Sequence, residues 1–186
     1  MTTRQIGPRQ AGSGLLKWWV MTKPLLLLDV DGVLCPFGMM NEPEGFRYAT
    51  IKDDVGIGVW VSDANADRIH RLMDTFEIHW CTGWLDGANQ HIAPLHGLPD
   101  LPVCPINRYD RSVHWKWSAI QAYVGDRSYA FVDDDIHPQT AREMNQQTIP
   151  CLWVPVKCSV GLTDSHVEQL ETWAASLYTP ANADVS

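Results

Sequence analysis

Leu25-Leu26-Leu27-Leu28-Asp29-Val30-Asp31-Gly32-Val33-Leu34 is the stretch on which the fold turns. Four unbroken leucines after Pro24 show no polar alternation, so the strand they predict has protein on both faces, as in a parallel sheet. Further short apolar runs recur at 77–81, 101–105, 129–132 and 151–154, which makes five expected strands. Helical spacing separates them. Over 63–76 it places Ile69, Leu72, Met73 and Phe76 on one face, with Ser62 as N-cap. A short helix over 86–96 ends at Gly97. Residues 112–124 put Val113, Trp117, Ile120 and Val124 on one stripe, 137–147 form another helix, and 164–177 align Val167, Leu170, Ala174 and Leu177. Strands alternating with helices give an α/β fold with a doubly wound, mainly parallel five-stranded sheet. The exception is 35–61, where β-prone runs at 46–51 and 57–61 flank Lys52-Asp53-Asp54 and predict a β-hairpin flap.

The 186 residues suit one domain, expected over 23–180, with a loose N-terminal extension over 1–22 and a tail over 181–186. Met21 directly precedes the first strand and marks an alternative start. At 45% hydrophobic and 19% charged, the chain is of globular composition. A formal net charge of −8 argues against broad binding along a phosphate backbone, which needs a basic face. The five cysteines include no C-x-x-C pair, and three lie within apolar runs, so reduced, buried thiols are expected. The longest apolar run is far short of the ~20 residues a bilayer span needs. Lys17 interrupts the stretch 15–20, and no cleavage site follows it. A cytoplasmic protein with no membrane partner is the expectation.

Ligands of such sheets bind at the carboxyl ends of the strands. Four polar features fall there: Asp29-Val30-Asp31-Gly32, Thr82, Lys116, and Asp133-Asp134-Asp135. Each has a plainer reading. D-x-D-G opens some calcium loops, but Val33 and Leu34 stand where such a loop needs an oxygen ligand and a glycine. A threonine at a strand end is usually structural. A lysine on a helix is usually solvated, yet Lys116 shares the stripe of Val113, Trp117 and Ile120, where a charge needs a partner. Crowded carboxylates repel unless a cation sits among them, and oxygen-only ligands select a hard metal such as Mg²⁺.

The order D-x-D-G-V-L, strand-end Thr, Lys, then strand-end Asp-Asp resembles the haloacid dehalogenase-like (HAD) superfamily, over roughly residues 23–178. Trp80-Cys81-Thr82-Gly83-Trp84, Ala88-Asn89, Gly97-Leu98-Pro99, Trp115-Lys116 and Gly161-Leu162-Thr163 resemble, more narrowly, the small HAD domains of RNA-repair proteins. The resemblance implies a Mg²⁺-dependent phosphohydrolase on a Rossmannoid fold. Asp29 would be the nucleophile that forms an aspartyl-phosphate, and Asp31 the acid and base. Thr82 would bind a phosphoryl oxygen, and Lys116 would offset charge on Asp29 and the transferring group. The metal would be held by Asp29, the Asp31 carbonyl, and Asp134 or Asp133, a choice the triple aspartate leaves open. The acid at Asp31 favours phosphoryl transfer over carbon–halogen cleavage.

Neither 35–61 nor 83–115 has room for a cap domain, so an open site is expected. An open site suits a phosphate on a large molecule, or one closed by a partner protein or a second copy of the chain; the expected partner is a phosphorylated substrate, a small molecule or a nucleic-acid end. Arg47, Arg108, Arg111 and Lys157 are candidates to meet further phosphates, Trp84, Tyr109 and Trp115 to stack a base, and Gly83 and Trp84 to line the substrate. His91, His96, His114 and His137 show no metal-ligand spacing and are assigned no role. The competing reading is a non-catalytic metal- and phosphate-binding module on the same scaffold. A phospho-accepting receiver domain is excluded by motif order. Transfer of the phosphoryl group to an acceptor other than water shares the first half-reaction.

Overall fold

The computed structural model describes residues 22–42, 44–51 and 56–178; the expected extension up to Met21, the alternative start there and the tail over 181–186 lie outside them. In chain order they form β1 (Leu25–Leu28), a hairpin of β2 (Phe46–Ile51) and β3 (Ile57–Ser62), and α1 (Ala64–Thr75). Then come β4 (Glu77–Trp80), α2 (Trp117–Val124), β5 (Tyr129–Asp133), α3 (Pro138–Met144), β6 (Cys151–Pro155) and α4 (Asp164–Ser176). The main sheet is four-stranded and parallel, in the order β4-β1-β5-β6, and the antiparallel hairpin is a sheet of its own.

Alternation along the strands divides the core. Leu26, Leu28, Ile78, Trp80, Ala130, Val132 and Val154 point to one face, covered by α1, α4 and the hairpin residues Ile51, Val59 and Val61. Leu25, Leu27, Tyr129 and Phe131 point to the other, covered by α2 and Met144 of α3. Both faces of β1 are thus buried, which is why it reads as an uninterrupted leucine run. The doubly wound architecture stands as expected, with four strands instead of five. The run 101–105 makes a single bridge, Val103 to Trp80, through two backbone bonds of 2.8 Å. Pro102 and Pro105 flank Val103, and a proline donates nothing to a ladder.

Local departures trace to strand pairing, nearby side chains and prolines. Ser62 stays in β3, paired with Phe46, and Asp63 caps α1 without a side-chain cap bond. The segment 86–96 is a π-helical turn (Ala88–Ile92) followed by a 3₁₀ turn (Ala93–His96), because Pro94 cannot continue an α-helical ladder. Gly97 does end it, at φ +63°. The helix expected from Ser112 starts only at Trp117, and Val113 is exposed. Asp110 accepts from the Ser112 amide (2.8 Å) and Ser112 from the His114 amide (3.3 Å), holding 112–115 as turns. All five cysteines are free thiols. Among the described residues no helix is long and apolar enough to cross a membrane.

Candidate functional site

The strand order reverses at β1: the chain leaves it for β4 over the α1 face, then crosses by α2 to β5 on β1's other side. A crevice opens at such a switch point, beyond the carboxyl ends of the two central strands. Asp29 and Asp133 stand there. The two ends are tied together by a bond from the Asp29 amide to the Val132 carbonyl, 3.1 Å.

Lys116 sits between the two acids. Its Nζ lies 2.7 Å from Asp29 Oδ2 and 2.5 Å from Asp133 Oδ2, and all three side chains are buried. The Val30 amide donates to Asp29 Oδ1 at 2.8 Å, and the Asp135 amide to Asp133 Oδ1 at 2.8 Å. Both carboxylates are therefore held on both oxygens. The lysine's stem runs past Trp115 and Phe131, its ammonium 4.8 Å and 5.7 Å from the ring centres. Its late position, as the N-cap of α2, is what lets it reach the strand ends.

Gly32, at φ +72°, turns the first loop so tightly that a Cβ there would overlap the Asp134 carboxyl group. Glycine thus brings the loop against the second acidic cluster. Asp29, Asp133 and Asp134 each offer a carboxylate oxygen within 4.8 Å of the others. Electrostatics follow from this crowding. Burial first, then the Asp29 charge, pushes Asp133 up to about 8, and the same causes push Asp134 up to about 6. Burial alone would lower the Lys116 ammonium, but Asp29 and Asp133 outweigh it and hold it above its ordinary value. Three acids against one lysine leave a negative excess. Oxygen-only donors with that excess fit a hard divalent cation, with Asp133 and Asp134 both in place to share it.

Asp31 lies at the mouth and is open to solvent, although the protein packed around its carboxyl group raises its pKa by desolvation. The Trp84 indole N–H, 3.0 Å from Oδ2, opposes that rise. Three clefts of about 470, 530 and 520 Å³ all have Asp31 in their walls. The first holds Asp29, Lys116, Asp133 and Asp134; the second runs along Gly83, Trp84, Arg108 and Trp115; the third lies against the hairpin.

Two of the sequence-chosen residues sit differently from their expected roles. Thr82 is fully buried, its Oγ1 accepting from the Trp84 amide at 3.4 Å, and Gly83 lines the cleft in its place. Arg47 lines none of the three clefts and binds Asp63 (3.1 Å) and the Leu95 carbonyl (2.8 Å). Sequence reasoning passed over Phe37 and Cys158, which line the acidic cleft and are joined by a backbone bond of 2.9 Å. No spacing signal marks either. His91, given no role, meets the Trp84 ring edgewise at 6.5 Å.

A doubly wound parallel sheet with this acid–lysine cluster at its switch point is a HAD-like Rossmannoid domain. The chain belongs to the family described as the HAD domain in Swiss Army Knife RNA repair proteins, whose model matches residues 25–167. No curated protein matches it. Membership points to phosphohydrolase-type chemistry on a fold that generally uses Mg²⁺.

Proposed function

We propose that this chain is a Mg²⁺-dependent phosphomonoesterase that works through an aspartyl-phosphate on Asp29 and acts on the terminal phosphate of a nucleotide or nucleic acid. One observation carries the reading: a carboxylate fixed on both oxygens beside a buried lysine, with a second carboxylate at the open mouth two residues on. Asp29, Asp133 and Asp134, with the Asp31 carbonyl, would hold the cation, which when bound offsets charge on the phosphoryl group.

Lys116 and the Val30 amide restrict the rotation of Asp29, so its oxygen meets phosphorus at little entropic cost. The Asp29–phosphorus bond forms as the bond to the leaving oxygen breaks. Asp31, its carboxyl raised by burial, delivers a proton to that oxygen. In the second half-reaction Asp31 takes a proton from water, whose oxygen attacks phosphorus and returns Asp29 as a carboxylate with release of inorganic phosphate. Lys116 is placed to stabilise negative charge throughout.

Two features support a nucleotide or nucleic-acid end. The family is described by RNA repair. The cleft beyond Asp31 combines Trp84 and Trp115 with Arg108, rings for a base and a cation for a further phosphate. With a net charge of −8, such contact is restricted to the few nucleotides near the site. The test is phosphate release from aryl phosphate and from 3′- and 5′-phosphorylated nucleotides and oligonucleotides, with and without Mg²⁺. Activity that needs Mg²⁺ and is lost in Asp29→Asn upholds the reading; release that persists in Asp29→Asn refutes the covalent route.

A further inference from the structure

The segment 82–92 is built irregularly for a linker, and its irregularity converges on one bond. Leu85 has φ +51°, a conformation a branched side chain adopts at a cost. The turn is closed by the Leu85 amide on the Thr82 carbonyl (3.1 Å) and the Gly87 amide on the Trp84 carbonyl (3.0 Å). Neighbouring side chains consequently part: Trp84 packs on the core cluster shared with α1, Leu85 on the one shared with α2. The π-helical turn that follows is clamped to β4 by Asn89. Its Oδ1 accepts from the Trp80 indole (2.7 Å) and the Leu101 amide (2.9 Å), and its Nδ2 donates to the Leu101 carbonyl (2.8 Å). His91, carried on that turn, meets the Trp84 ring. A strained turn and a π-bulge are recurring devices for aiming a side chain. Here the aim is the Trp84 indole N–H onto Asp31 Oδ2.

We infer that Trp84 is a positioning residue that fixes the Asp31 carboxyl group for proton delivery to the leaving oxygen. Among the described residues it is the one side-chain donor to Asp31. An indole nitrogen only donates, so Oδ2 accepts, and because a carbonyl oxygen accepts better than a carboxyl hydroxyl, the transferable proton is favoured on Oδ1. One oxygen is thereby committed to holding the group and the other to chemistry. The inference rests on the Asp29 phosphohydrolase reading and gives the Trp84 N–H a role separate from any stacking of its ring on a base.

Proton delivery matters in proportion to how poor the leaving group is. The test therefore compares 4-nitrophenyl phosphate, whose product leaves as a stable anion, with glycerol 2-phosphate, whose alkoxide must be protonated. Trp84→Phe keeps the ring and deletes the N–H. Turnover is expected to fall no more than about threefold on the aryl ester and on the order of tenfold or more on the alkyl ester. Asp31→Asn should show the same selectivity, and adding Trp84→Phe to it should cost nothing further. Equal fractional losses on both esters, or losses that multiply in the double variant, overturn the inference. If the wild type hydrolyses neither these esters nor 3′- and 5′-phosphorylated nucleotides, the Asp29 reading fails and takes this inference with it. An active wild type, an inert Asp29→Asn and an unselective Trp84→Phe remove this inference alone. Should only nucleotides turn over, or Trp84→Phe not fold, indole N–H resonances of the ¹⁵N-labelled wild type and Asp31→Ala decide: one indole must lose protection from exchange in Asp31→Ala, and no change overturns the assignment.

Discussion

Lys116→Met removes the ammonium between Asp29 and Asp133 while leaving a side chain of similar length, so its effect reports on charge. At 2.7 Å the pairing with Asp29 is worth about 6 kcal/mol at an effective dielectric near 20, and Asp133, 2.5 Å away, adds a similar amount as it ionises toward pH 8. Desolvation of three buried ions and repulsion between the acids consume most of that, which is why the balance, not the Coulomb sum, sets the outcome. Breaking such a pair by removing one partner costs about 3–5 kcal/mol. For a domain of this size that corresponds to a melting temperature lower by about 6–20 °C. The loss should be largest at pH 8 and smaller at pH 6, because the orphaned acids take up protons at lower pH. Saturating Mg²⁺ should recover part of it by supplying the missing positive charge. Differential scanning fluorimetry at both pH values, with and without Mg²⁺, measures all of this. A Lys116→Met melting point within about 2 °C of wild type at pH 8 without metal would refute the reasoning, as would a loss independent of pH.

Two further predictions concern the same cluster. Asp133 is pushed up to about 8 and Asp134 to about 6 from 3.8, so the fold holds protons that the unfolded chain releases. That increment of stability is full below pH 3.8 and is lost as pH rises through 6 toward 8. Mg²⁺ displaces those protons, so the rise in melting temperature it produces should be greater at pH 8 than at pH 6, and calorimetry at pH 6 should show proton release on binding. Gly32→Ala adds a Cβ against the Asp134 carboxyl at a backbone φ of +72°. It should lower stability by about 1–3 kcal/mol and weaken Mg²⁺ binding, read by thermal melts and titration calorimetry; unchanged values of both would mean that the first loop does not pack on Asp134.

How much of this was legible depends on the range of the forces involved. The leucine run 25–28 disclosed a strand buried on both faces because burial writes itself into unbroken apolarity. Lys116 disclosed a partner because a charge on an apolar stripe must have one, and Asp29 and Asp133 provide it. The run 101–105 is as apolar as a strand, but Pro102 has no amide to extend the ladder at one end, and at the other the Ile106 amide turns back to the Cys104 carbonyl. Helix starts failed where short-range side-chain bonds won, as at Ser112, where Asp110 and Ser112 capture the amides. The Trp84–Asp31 bond spans 53 residues and depends on the positive φ of Leu85, which no periodicity signals. Arg47 had the right charge and lay near the right loop, but Asp63, sixteen residues on, claims it.

The sharing of Asp31 by three clefts bears on how an uncapped site selects its substrate. In the proposed reading the acidic cleft takes the scissile phosphate, and the leaving group would depart past Asp31 along one of the other two. Along the hairpin it would meet Phe37, Met39, Ile57 and Trp60, a wall with no cation among its described residues, where a second phosphate would lose hydration without a partner there. Along the other side it meets Trp84, Trp115 and Arg108, where a base finds a ring and a phosphate finds a guanidinium. A phosphorylated chain therefore gains from the second path and pays on the first, whereas an apolar alcohol does the reverse. Discrimination by path, not by enclosure, is what the proposed reading requires of a fold whose two possible cap positions hold, among their described residues, a hairpin, two short helical turns and a single bridge.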